Sequence, residues 1–532
     1  MAALLLALSA CQPIEPQDTP GELELGTRED ELYVRAASLW SRATIPVCWE
    51  NPDVAPAHER EWVRSAALGS WEARSGVSFV GWGACTASSR GIRIRISDTG
   101  PHVKALGQWL DGMVDGMVLN FTFLNWGASC QNTREYCIRT IAVHEFGHAI
   151  GFAHEQNRSD TPSTCTEPRQ GSDGDLAIGA WDLASVMNYC NPRWAGDGNL
   201  SATDKRGVQE MYGLLENPDG SLGNMSGWTI TQNGGNGWTV WDSRTFATSY
   251  DWGRRTQTID LYAHGFDAQS MATLPPIEVS EQFSRTYCPD QYYLKVQLLD
   301  GNMNVVSTFD TGVVQQTGPC EWSEDWQTVS HVFTGYPANV RYVRWEDGGK
   351  DGEWWWGNYG AAMRNAKLKV RTNLLANPDG QTGDLSGWTV TANGGNGWAV
   401  WGNRMFVTSY EWGRRTQTVD LYAKGLSASA LSSAPPILVS EQFSRTYCPD
   451  QYSLKVQLLD ASMNVVSTFD SGVVQQTGPC EWSEDWRTVS HVFTGYPSNV
   501  RYVRWEDGGK DNEWWWGHYG AAMKSAVVSV LR

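Results

Sequence analysis

The stretch from Leu214 to Arg532 is written twice. Asn217-Pro218-Asp219-Gly220 recurs as Asn377-Pro378-Asp379-Gly380, and the run Glu281 to Cys288 recurs at Glu441 to Cys448, 160 residues on and with no gap. Two long copies do not make a solenoid, whose short repeats need several neighbours to bury a shared core. They are two domains of one kind. Inside each copy, runs such as Tyr293-Leu294-Lys295-Val296-Gln297-Leu298 and Val340-Arg341-Tyr342-Val343-Arg344-Trp345 alternate between Gly, Pro and Asn. Alternation sends successive side chains to opposite faces of a strand, so each copy is expected to fold as an antiparallel β-sandwich.

The 532 residues exceed what one core holds. We expect a multidomain chain with an α+β region first and two all-β sandwiches after it. The boundaries are 1–11 for a signal peptide, 12–35 for a polar tether or short pro-segment, 36–213 for the first globular domain, and 214–372 and 373–532 for the repeats. A net charge of −18 without a basic tract argues against nucleic acid as a partner. The apolar run Ala2 to Leu8 is too short to span a bilayer, and no Lys or Arg precedes it. Leu8-Ser9-Ala10-Cys11 resembles a bacterial lipobox, which implies a lipid on Cys11, an extracytoplasmic site and attachment to an outer membrane or cell surface. An ordinary cleaved signal and secretion is the alternative.

Three of the nine histidines fall within eleven positions, at His144, His148 and His154. If Ile138 to Ile150 is helical, His144 and His148 share one face, one turn apart. Gly151 then breaks the helix where the chain turns, and His154 returns as a third ligand. Three neutral imidazoles with an open position suit Zn2+. Glu145 stands beside the first ligand, placed to take a proton from a bound water and pass it on.

The run His144-Glu145-Phe146-Gly147-His148 to His154, followed by Ser185-Val186-Met187-Asn188-Tyr189, resembles the metzincin zinc peptidases, with Met187 as the Met-turn residue. Glu155 directly after His154 is similar to the astacin-like branch. That resemblance implies a zinc endopeptidase in which Glu145 is general base and then acid and Tyr189 stabilises the oxyanion. It also implies that Met117 to Phe123 forms a strand bordering the cleft, ready to pair with an extended peptide. Packing of Tyr189 within its turn is the plainer alternative.

Eleven cysteines behind an apolar leader suit an oxidising compartment. Six lie in the first domain and allow 15 pairings. Cys48 with Cys85, Cys130 with Cys137 and Cys165 with Cys190 are the favoured set, because the last would tie the Met-turn to the segment leaving the histidine motif. Each repeat has its own two, Cys288 with Cys320 and Cys448 with Cys480.

Gly227-Trp228, Gly234-Gly235-Asn236-Gly237-Trp238, Thr248-Ser249-Tyr250-Asp251-Trp252, Gln257 to Leu261, Val329 to Phe333 and Gly348 to Asp351 make each repeat similar to the F-box-associated domain. The resemblance implies a jelly roll like that of galactose-binding domains, some of whose relatives bind the core of N-linked glycans through adjacent aromatics. Trp354-Trp355-Trp356 and Trp514-Trp515-Trp516 stand at that loop, with Trp355 and Trp515 at the sugar-stacking position. Where glycan-binding members have Tyr and Lys on either side, this chain has Trp on both. Three consecutive indoles cannot all enter one core, so at least one per copy should be exposed. Packing of the sandwich edge is the alternative use for them.

Together these features suggest a zinc endopeptidase acting on extracellular proteins, carried to a glycoprotein or polysaccharide surface by the repeats. The rival is a surface adhesin or carbohydrate-binding lipoprotein whose first domain is vestigial.

Overall fold

The structure, a computed structural model, describes residues 30–531 except 179, 243, 323–324, 354–355, 403, 425, 427, 483–484 and 514. The expected signal segment, Cys11 and most of the tether lie outside the described residues. The chain divides into two compact units. One holds the described residues up to Thr229 together with Trp238–Ala247 and Ala362–Arg364, and the other holds Ile230–Gly237, Thr248–Ala361 and Asn365–Arg532.

The first unit mixes helix and sheet. Up to Tyr212 its strands are β1 (Asp30–Val34), β2 (Thr44–Trp49), β3 (Ser78–Ala84), β4 (Ile92–Ile96), β5 (His102–Val103), β6 (Met117–Leu119), β7 (Leu176–Ile178) and β8 (Ala180–Trp181), and its helices are α1 (Ala57–Gly69), α2 (Arg134–Ala149) and α3 (Ala202–Tyr212). Five strands form one sheet in the order β3-β2-β4-β6-β5, and β7-β1-β8 form a second. In β4 the alternating Ile92, Ile94 and Ile96 face the core and Arg95 faces solvent, but Arg93 is buried as well. Arg93 is buried there because Glu50 takes its guanidinium at 2.8 and 3.1 Å.

Helix α2 starts a turn before the expected Ile138. Arg134 anchors that first turn, donating to the Glu59 carboxylate at 2.7 Å and to the Phe121 carbonyl at 2.7 Å, and Cys130–Cys137 closes beneath it. Twelve of its sixteen residues are buried, so it is a central helix rather than an amphipathic cover. The expected strand Met117 to Phe123 is shorter than its alternation suggests. Asn120 Oδ1 accepts the backbone amides of Thr122 and Phe123, turning the chain out of the sheet. Nor does β6 offer a free edge for a peptide, because β5 pairs with it antiparallel through His102 and Val103.

In the second repeat, one antiparallel sheet runs in the order Thr389–Asn393, Gly413–Asp420, Val500–Lys510, Gln451–Asp460, Val465–Asp470, with Val474–Gln475 also on Gln451–Asp460. The other runs Ala399–Trp401, Met405–Val407, Ala522–Val530, Ile437–Ser444, Arg487–Phe493. Leu454, Val456 and Leu458 from the first sheet share a core with Val439, Phe443 and Val528 from the second. This is the expected β-sandwich, and the first repeat carries the same strand order in its larger sheet, from Thr229–Asn233 to Val305–Asp310.

A charged knot lies inside each sandwich. Arg415 donates to Asp507 at 2.8 Å and to Glu441 at 3.1 Å, and Arg255 does the same to Asp347 at 2.7 Å and Glu281 at 2.9 Å. All six side chains are buried. Burial first, then the neighbouring Asp, holds the Glu281 and Glu441 carboxyls well above the usual range. One guanidinium thus faces two buried acids, and removing either partner would leave a buried charge unpaired.

Candidate functional site

The histidine cluster is built by one helix and two turns. His144 and His148 stand on α2, and α2 ends where Gly151 takes φ 105°, in the left-handed region that favours glycine. The chain then returns His154 to the same point. The Nε2 atom of His154 lies 3.2 Å from that of His144 and 3.1 Å from that of His148, and all three rings are buried.

Each ring is held by its other nitrogen. Nδ1 of His144 donates to the Val186 carbonyl at 2.7 Å, Nδ1 of His148 to the Phe152 carbonyl at 2.7 Å, and Nδ1 of His154 to the Gln170 carbonyl at 3.0 Å. A carbonyl only accepts, so each proton is fixed on Nδ1 and three Nε2 lone pairs face one another. Lone pairs that close repel unless a cation stands among them, and a ring whose other nitrogen donates to a carbonyl is the usual form of a metal-ligating histidine. Burial and the neighbouring rings also hold the cluster neutral. His144 is pushed down to about 3 and His154 to about 4, while His148 falls well below its ordinary value. The donor set fits a divalent metal, and His144, His148 and His154 form the candidate metal centre among the described residues.

Glu145 is buried beside this centre, one carboxylate oxygen without a hydrogen-bond partner among the described residues, and burial pushes its carboxyl up to about 8. It lines a cavity of about 70 Å³ together with His144, Tyr189, Trp126, Ile141 and Trp194. The Tyr189 ring stacks on His144 with centroids 5.5 Å apart and lies 4.5 Å from the His154 ring. Met187 is fully buried under α2, against Gly147. Its turn is held from three sides. Its carbonyl accepts the Glu155 amide at 2.9 Å, Cys165–Cys190 closes the loop, and Asp204 accepts from Ser185 Oγ at 2.7 Å and the Val186 amide at 2.9 Å. The disulfides join the five pairs favoured from the sequence.

In the repeats, Trp354, Trp355 and Trp514 lie outside the described residues. Among the described residues Trp356 and Trp516 are the most exposed large hydrophobic side chains of their copies, and Trp515 is 44% exposed. The loop that carries them is fixed. Asp511 accepts the Trp515 amide at 2.6 Å, Asn396 accepts the Gly517 amide at 2.9 Å, and Trp516 stacks on Tyr410 at 5.7 Å. In the first copy Asn236 takes the Gly357 amide at 3.0 Å and Trp356 stacks on Tyr250 at 5.5 Å. A second pair of exposed indoles, Trp322 and Trp482, was not singled out from the sequence. Each stands two residues after a paired cysteine, in Cys-Glu-Trp, a short pattern that does not by itself report exposure.

Comparison with known proteins places the chain by its repeats. The profile of the F-box associated region matches residues 211–370 and 366–530, more than half of the chain, and does not reach the histidine-bearing region. Among curated proteins, F-box only protein 2 of Bos taurus is 36% identical over 181 residues, covering 30% of this chain and 60% of the relative. F-box only protein 27 of Mus musculus is 38% identical over 172 residues, covering 30% and 59%. The chain thus spans about three fifths of the length of these relatives. Among solved structures, a CBM22 tandem from Paenibacillus barcinonensis Xyn10C is similar at 11% identity and TM-score 0.22, over 59% of this chain and 95% of that one. TmCBM61, solved with β-1,4-galactotriose, gives 17% identity and TM-score 0.20 over 30% and 97%.

These relatives correct the expected function. They are F-box only proteins and not proteases, so the reading of the chain as a hydrolase, an astacin-like metalloprotease that cleaves extracellular proteins, is withdrawn. The physical reason is that three converging imidazoles specify a cation and not a substrate, whereas the greater part of the chain is committed to two sandwiches with exposed aromatics. The fold is correspondingly mostly β-sandwich, and the metzincin architecture expected for residues 36–213 is not what the matches cover. By both of its repeats, the chain belongs to the F-box associated region family.

Proposed function

We propose that the protein is a carbohydrate-binding adhesin of an extracytoplasmic surface, in which the two repeats recognise glycans or glycoproteins. The observation that carries this reading is the set of exposed indoles held on hydrogen-bonded loops, Trp356 in one copy and Trp515 and Trp516 in the other. An exposed ring on a fixed loop offers a flat apolar face to the C–H surface of a sugar, and exposed aromatics of this size are costly unless something covers them. Two copies on one chain raise avidity for a multivalent surface. Five disulfides support an oxidising location. Among the described residues no helix is long and apolar enough to cross a membrane. A glycan array probed with the full chain tests the reading. Binding lost in the double variant Trp355→Ala/Trp515→Ala supports it, and a blank array with wild-type protein sinks it.

The amino-terminal region has a second role in this reading, as a Zn2+ site and catalytic centre, favoured by the three Nε2 atoms that face one another beside Glu145. A bound zinc would supply Lewis acidity there. His144, His148 and His154 would hold the ion, Glu145 would accept a proton, and the Tyr189 hydroxyl would orient a ligand beside them. Elemental analysis should find one zinc per chain, lost in His148→Ala and kept in Glu145→Gln.

A further inference from the structure

Trp482 is 63% exposed, yet its position is set with care. Its ring lies 5.5 Å from Tyr447 and 6.0 Å from Tyr519, and the same two tyrosines lie 5.3 and 5.8 Å from Trp515. Two indoles thus flank two phenol rings in one continuous aromatic cluster, and Trp401 extends it from Trp482 at 6.2 Å. The segment that presents Trp482 is braced. Cys448–Cys480 joins the residue after Tyr447 to the residue two before Trp482, and the Glu481 amide donates to the Tyr447 carbonyl at 2.9 Å. Arg445 donates to the Thr477 carbonyl and to Asp485, both at 3.2 Å. The first copy carries the counterpart, with Trp322 67% exposed, 5.6 Å from Tyr287 and 5.9 Å from Tyr359, behind Cys288–Cys320.

We infer that Trp322 and Trp482 form a second sugar-stacking platform in each repeat, so that the ligand is an extended oligosaccharide chain and not a single terminal sugar. This inference rests on the glycan reading of the repeats. A lone platform engages one ring and gains nothing from further residues. Two exposed indoles joined by tyrosines that meet them tilted or edge-on form a continuous, contoured aromatic surface, suited to successive sugars that each carry an apolar face and polar edges. The disulfide brace keeps the second indole in place before binding, which lowers the ordering cost of a long ligand. A bare apolar peptide would not need the intervening phenols.

The test titrates full-length protein with N-acetylglucosamine oligomers of increasing length by calorimetry. Wild type should bind tighter as the oligomer lengthens, and Trp322→Ala/Trp482→Ala should keep its affinity for the dimer while losing that gain, about tenfold on the longest oligomer. Trp322→Phe/Trp482→Phe should keep most of it, which separates loss of a ring from loss of fold. Equal binding of all lengths by wild type, or an unchanged length dependence in the alanine pair, overturns the second platform while leaving the glycan reading intact. Loss of binding at every length in Trp355→Ala/Trp515→Ala supports the glycan reading itself, and failure of wild type to bind any oligomer overturns both.

Discussion

A methyl group added at Gly147 would sit 2.4 Å from Met187 Sδ and 2.9 Å from the Trp71 ring. The helix that carries two ligands is therefore pressed on its Met-bearing turn with no side chain between. Gly147→Ala should lower stability by about 1–3 kcal/mol, as overpacking of a tight core does, read as a lower urea midpoint. The histidine spacing was legible because a helix turns with a fixed period, and a local rule sufficed to bring His144 and His148 together. Trp322 and Trp482 were not legible in that way. Their exposure depends on disulfides closed across 32 residues and on tyrosines distant in the chain, and no short-range pattern reports it.

At the scale of elements, strands of the sandwiches were readable from alternation, and α2 was readable except for its first turn. What escaped was pairing. The strand Met117 to Leu119 looks free in sequence, but only tertiary contact reveals that His102 and Val103 cover its edge. A buried carboxylate at the start of a strand makes a testable element. Asp450 precedes Gln451–Asp460 and accepts the Thr446 amide, Asp290 does the same for Thr286, and burial pushes the two up to about 9 and about 8. Their other carboxylate oxygens have no partner among the described residues. Below the usual carboxylate pKa both folded and unfolded chains hold the proton, and no penalty arises. As pH rises past that value the unfolded chain releases a proton that the folded chain retains, so stability falls until the folded pKa is passed. Urea midpoints taken from about pH 5 to about pH 9 should fall for wild type and fall less for Asp290→Asn/Asp450→Asn, which keeps the acceptor and removes the titration.

For the molecule as a whole, the duplication was plain from the sequence, and so was its architecture. Its consequence for binding was not, because avidity depends on what each copy holds. Inactivating one copy alone, through Trp515→Ala, should weaken retention on a glycoprotein-coated surface by about tenfold or more while a soluble monovalent sugar still binds the other copy. Equal loss on both would mean that the copies do not act together. Metal removal belongs to this scale as well. A chelator should lower the melting temperature of the histidine-bearing unit, since an ion that binds only the folded state stabilises it by mass action.

Near-duplicate neighbours on one chain carry a hazard of their own, for a strand of one copy fits the vacancy left by its twin. Cys288–Cys320 and Cys448–Cys480 each close within a single copy. Once oxidised, they fence the strand Gln291–Asp300 or Gln451–Asp460 into a covalent ring with its own neighbours. Oxidation before the sheets are complete would therefore favour two separate modules over one tangled pair.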